Sequence, residues 1–82
     1  MDKDLVGKVV HFYDKIGVAI VRLNKKIKVG DKLKFVKGDN SIDQTVNSMQ
    51  IEHELIEEGK KGQEVGIKVN KKVRDGTLVY LV

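Results

Sequence analysis

Eighty-two residues make room for one domain, too few for a nucleotide-binding catalytic domain with its P-loop or for a two-domain enzyme. The chain has no cysteine, which excludes a disulfide framework, a thiolate metal site and a cysteine nucleophile within it. The formal net charge is +4, from 16 basic residues, all lysine except Arg22 and Arg74, against 12 acidic ones. That balance permits a polyanionic partner without demanding one. No signal-peptide pattern and no apolar run long enough to span a bilayer is present, so a soluble, cytoplasmic chain with no membrane partner is expected.

The expected elements are short strands punctuated by Gly, Asp and Asn, with no helix signal beyond a turn or two. Residues 5–13, rich in valine and aromatics, predict a first strand, and residues 16–23 a second with Ala19, Val21 and Leu23 on one face. The short break at Asp14-Lys15 predicts a hairpin between them. Ile27-Lys28-Val29-Gly30-Asp31 predicts an irregular connection closed by a turn, with Gly30 at positive φ and Asp31 accepting a local backbone hydrogen bond. Residues 32–37 alternate: Leu33 and Phe35 point one way, Lys32 and Lys34 the other, as in a strand with one wet face.

A polar loop tip at residues 37–41 leads to a strand predicted over residues 43–54. Its apolar phase has a fault. Val46 and Met49 are an odd number of residues apart, so burying both requires a bulge at Asn47-Ser48. Residues 55–59 predict a helical turn or a tight corner, and Gly59 and Gly62 frame a second turn. Residues 64–69 form another strand, with Val65, Ile67 and Val69 inward and Gly66 and Lys68 outward, and residues 77–82 close the chain. Six short strands in an open sheet would leave sticky edges. The pattern therefore predicts an all-β domain closed into a small six-stranded barrel, with a two-sheet sandwich as the alternative.

Five segments, in order, resemble those of the second, β-barrel domain of elongation factor Tu and other translational GTPases. They are Gly7-Lys8-Val9, Val29-Gly30-Asp31-Lys32-Leu33, Gln44-Thr45-Val46-Asn47-Ser48-Met49-Gln50, Glu58-Gly59-Lys60-Lys61-Gly62-Gln63-Glu64-Val65-Gly66-Ile67 and Arg74-Asp75-Gly76-Thr77-Leu78-Val79. The resemblance implies a mostly antiparallel, six-stranded closed barrel and a role in translation. It carries no P-loop, so no GTP binding is expected. In elongation factor Tu the strand matching Ser48 to Glu54 lines the pocket for the tRNA 3′ end, and on this resemblance Gln50, His53 and Gly66 surround such a pocket. Gln50 stands where that family has an acidic residue, and His53 where it has an arginine. A related barrel also forms the C-terminus of some peptidase-like proteins acting in tRNA modification.

The residues add a lysine stripe. Lys25, Lys26, Lys28, Lys32, Lys34 and Lys37 are placed to neutralise phosphates, the plain alternative being a solvated face that discourages aggregation. A second cluster holds Lys60, Lys61, Lys68, Lys71, Lys72 and Arg74, and its position relative to the first is open. Tyr13, beside the first turn, is the aromatic best placed to stack on a base. His11 and His53 lack partners at ligand spacing, and Ser41, Thr45, Ser48 and Thr77 form no recognisable triad. Neither a catalytic centre, a metal nor a cofactor is expected. The sequence thus predicts a non-enzymatic, translation-associated module docking tRNA, ribosomal RNA or a ribonucleoprotein. Its alternative is a protein–protein adaptor barrel bound to a translation-related protein.

Overall fold

Alternating apolar positions fold the chain into strands throughout. The computed structural model describes residues 5–52 and 54–82. They form β1 (Leu5–Tyr13), β2 (Val18–Leu23), β3 (Ile27–Lys28), β4 (Lys32–Lys37), β5 (Asn40–Thr45), β6 (Met49–Ile51), β7 (Glu54–Ile56), β8 (Glu58–Gly59), β9 (Glu64–Lys68) and β10 (Leu78–Leu81). The domain is all-β. The helical turn considered for residues 55–59 does not form: that stretch is split between β7 and β8.

The inner faces are those the alternation marks. Ala19, Val21 and Leu23 from β2, Leu33 and Phe35 from β4, and Val65 and Ile67 from β9 are all buried, and with Val6, Val9, Val46, Met49 and Val79 they make one apolar cluster. Each fully buried Val, Leu or Ile contributes roughly 1.5–3 kcal/mol of transfer free energy, so this cluster dominates the stability.

Eight strands join in the order β5-β4-β10-β1-β2-β9-β6-β7, and β3 pairs with β8 in a separate two-stranded ladder. Every pairing is antiparallel. The expected six-stranded closed barrel is therefore corrected in two ways. The long strand predicted over residues 43–54 is cut into shorter pieces, and no ladder joins β5 to β7, so the order has two ends.

The cut falls where the phase fault lies. Val46 and Met49 are both buried, and residues 46–48 between β5 and β6 carry no ladder. Val46 instead donates its N–H to the Asp31 carbonyl and accepts the Gly30 N–H, each at 2.8 Å. As a result, residues 40–51 reach both sides of the sheet order, β5 against β4 and β6 against β9. A second odd spacing, Val6 to Val9, is resolved the same way in β1, where the register shifts between Leu5 and Gly7.

The turns behave as the chemistry of their residues dictates. Gly30 has φ 99°, and Asp31 accepts the Lys28 N–H at 2.9 Å. The β1–β2 hairpin turns over four residues rather than two, because Gly17, at φ 67°, donates its N–H back to the Tyr13 carbonyl at 2.9 Å.

Candidate functional site

On the outer side of the sheet, register places Ile20 of β2 beside Gly66 of β9, Gly66 beside Gln50 of β6, and Gln50 beside Leu55 of β7. The adjacent row, Ala19, Ile67, Met49 and Ile56, faces the core. Gly66 is thus the low point of an outward row. A Cβ there would lie 3.0 Å from Val18 Cγ1, 3.3 Å from Gln50 Cγ and 3.5 Å from Ile20 Cδ1. Gly66, expected to point outward, is crowded by these three side chains and is itself buried.

Over this low point lies a groove of about 370 Å³, walled by Tyr13 and Ile16 from the first hairpin and by Gln50, with Glu52 and Glu64 at its rim. Tyr13 is 49%, Ile16 53% and Leu55 78% exposed, so three large apolar side chains face solvent on or beside one row. The His11 ring meets that of Tyr13 edge-on, centroids 4.3 Å apart at 63°, which restrains the tyrosine. Glu52 sits at φ 51°, a left-handed conformation rare outside glycine, in the tight turn between β6 and β7. The two carboxylates have cations nearby: the Lys68 ammonium donates to the Ile16 carbonyl at 2.6 Å, and Arg22 lies opposite Glu64 in the β2–β9 ladder.

Of the pocket residues implied by the resemblance, Gln50 and Gly66 meet in this groove together with Tyr13, while His53 lies outside the described residues. Sequence reading missed Ile16, Leu55 and the two rim glutamates. Their common location depends on pairing between strands distant in sequence, which composition and alternation do not reveal.

The lysine stripe does not hold together. Lys26 pairs with Glu58 at 3.4 Å, and Lys28 lies opposite Glu58 in the β3–β8 ladder, with Lys25 exposed just before it. Lys32 and Lys34 do point outward from β4, but Lys34 lies between Asp43 of β5 and Tyr80 of β10. Lys37 leaves the stripe altogether and donates to the Asp75 carbonyl at 3.1 Å. Acidic neighbours thus interrupt what the linear sequence presents as a continuous positive strip. Among the described residues, no group of three or more His, Cys, Asp and Glu is placed to hold a metal, and no helix is long and apolar enough to cross a membrane.

The described residues make a small all-β unit with an apolar interior. Comparison with known proteins assigns it: the chain belongs to the peptidase family U32 C-terminal domain family, matched over residues 2–79. A curated relative, an uncharacterized protease of Methanocaldococcus jannaschii, is 42% identical over 78 residues, which are 94% of this chain and 19% of that protein. The chain therefore spans about a fifth of that relative's length. Two crystal structures of the C-terminal domain of a Geobacillus thermoleovorans protein classed as a U32 peptidase, one of them the selenomethionine variant, have the same fold. Their TM-scores are 0.89 and 0.90 at 17% and 16% identity, over 95% and 100% of this chain and 99% and 96% of theirs.

These findings overturn the relation to translational GTPases, and with it the translation-associated RNA- or ribonucleoprotein-docking role assigned to Lys25, Lys26, Lys28, Lys32, Lys34 and Lys37. The reason is visible in the motifs. Gly30, Gly62 and Gly76, which anchor three of the five segments, have φ of 99°, 89° and 86° and form turns. Glycines at such positions serve the turning of the backbone, and turns do not specify function.

Proposed function

We propose that this chain is a non-catalytic accessory domain that packs against the larger body of a U32 peptidase-type protein through the row Ile20, Gly66, Gln50 and Leu55 and its flanking groove. The observation that carries this reading is the exposure of Leu55 on this row and of Tyr13 and Ile16 on the hairpin beside it, with Glu52 and Glu64 lining the groove. Burying a large apolar side chain stabilises an interface by roughly 1.5–3 kcal/mol, and three such anchors near its centre are enough to hold two domains together once the costs of association are offset. The relative's chain, of which the matched segment is 19%, supplies a body large enough to cover the face. Glu52 and Glu64 call for lysine or arginine around an apolar centre on that body.

In this reading any peptide hydrolysis belongs to the body, since the aliphatic packing of this domain leaves no interior cleft for chemistry. The cytoplasm suits a chain without cysteine.

The test is calorimetric titration of this chain with the Methanocaldococcus jannaschii relative expressed without its matched segment. Binding is expected, and Leu55→Lys and Ile16→Lys are each expected to weaken it at least about tenfold, the equivalent of 1.4 kcal/mol. Lys34→Glu, on another face, leaves it unchanged. Binding insensitive to Leu55 and Ile16 contradicts the assigned face, and absence of binding contradicts the accessory role.

A further inference from the structure

A second concavity, independent of the docking face, brings together residues that the sequence places in separate clusters. Lys37 from the end of β4 meets Lys72 and Arg74 from the loop before β10 around a cavity of about 460 Å³. Its accessible apolar side chain is the half-buried Ile42, with the buried Phe35 and Val73 behind it, and Asn40 and Ser41 add an amide and a hydroxyl. No carboxylate is among the lining residues. Asp75 turns its carbonyl to Lys37 and lines a different concavity, beside Lys8 and Arg22.

Three cations around one mouth repel each other, and nothing in the lining neutralises them. Lys37 is held in place by its 3.1 Å hydrogen bond to the Asp75 carbonyl and keeps further N–H donors. Arg74 is fixed along its backbone, because its carbonyl accepts both the Thr77 N–H at 3.1 Å and the Thr77 hydroxyl at 2.6 Å. Its guanidinium is suited to grip two oxygens of one anion at once. The volume lies in the range of small-molecule sites.

We infer that this cavity binds a small organic phosphate, a phosphomonoester whose dianion meets Lys37, Lys72 and Arg74 while its carbon body rests against Ile42. A phosphomonoester carries about two negative charges above its second pKa of about 6, which matches three cations better than a single carboxylate does. The apolar surface distinguishes this site from one for inorganic phosphate.

The probe is phenyl phosphate, followed by amide shifts of the full isotopically labelled chain at low salt, with phenol, inorganic phosphate and a short uridine oligonucleotide as comparators. Saturable shifts at Ser41, Ile42, Val73 and Thr77 are expected, tighter than for any comparator and strengthening as pH rises through about 6. Arg74→Gln and Lys72→Gln are each expected to weaken binding about tenfold with the thermal midpoint retained, whereas Lys61→Gln does not. Absence of saturable shifts overturns the inference. So does equal weakening by Lys61→Gln, which would mean a diffuse charge effect, or tighter binding of the oligonucleotide, which would mean a polymer surface.

Discussion

At Gly7 the backbone leaves no room for a side chain: a Cβ there would lie 2.5 Å from the Arg22 carbonyl oxygen and 2.8 Å from Val21 Cγ1. Both atoms belong to β2, against which Gly7 pairs opposite Leu23. Gly7→Ala is therefore expected to cost about 3 kcal/mol in denaturant unfolding, the upper end for overpacking. Gly30 is the opposite case. Nothing lies within 4 Å of its Cβ position, but φ is 99°, so Gly30→Ala pays only conformational strain, roughly 1–2 kcal/mol. Equal losses at the two positions would refute this separation of space from strain. Phe35, the largest fully buried side chain, sets the scale for the core, and Phe35→Ala should cost roughly 3–5 kcal/mol. Lys26, exposed and 3.4 Å from an exposed Glu58, should be replaceable by Met at a cost below about 1 kcal/mol. Alternation alone marks Leu33, Phe35, Val65 and Ile67 as core, because the neighbours of each are lysine, glutamate or glycine, Val36 beside Phe35 being the one exception. The burial of Gly66 was not legible: the side chains of Val18 and Gln50 that cover it come from strands far away in sequence.

Strand by strand, the positions most faithfully encoded are those where a local rule operates without competition. The turn at Gly30-Asp31 and the inward face of β2 form as read. The bulge expected at Asn47-Ser48 forms instead as an unpaired break at residues 46–48, because the odd spacing of Val46 and Met49 admits no regular strand. Its consequence was hidden. The break lets one run of chain pair with β4 at one end and β9 at the other, and only tertiary contacts decide that. Deleting Asn47 would put Met49 on the wrong face, and an amide spectrum without native dispersion is the expected result; a well-dispersed spectrum would show that the three-residue break is not needed. Hydrogen exchange should follow pairing. The amides of β1, β2 and β9, inside the eight-stranded order, are expected to exchange slowest, and those of the two-residue strands β3 and β8 fastest. The reverse order would contradict the assigned ladders.

For the molecule as a whole, the sequence resolved the fold class but not the family. Its glycine-marked segments encode turns, and turns recur wherever a small β-domain must fold back on itself. Function is written on the exterior, where register decides which side chains meet. Two outer sites result: an apolar row with an acidic rim, assembled from Tyr13, Ile16, Ile20, Gln50 and Leu55, and a cationic cavity at Lys37, Lys72 and Arg74. Their opposite charge suits them to different partners, one an apolar and basic protein surface, the other a small anion. The docking proposal is tested most directly by an amide shift map of the isotopically labelled chain titrated with the body of its U32 peptidase-type relative. Perturbations confined to the outer positions of β2, β9, β6 and β7 and to the Asp14–Gly17 turn are the predicted result. A map centred on Lys34 and Tyr80, or no perturbation at saturating body, would contradict it.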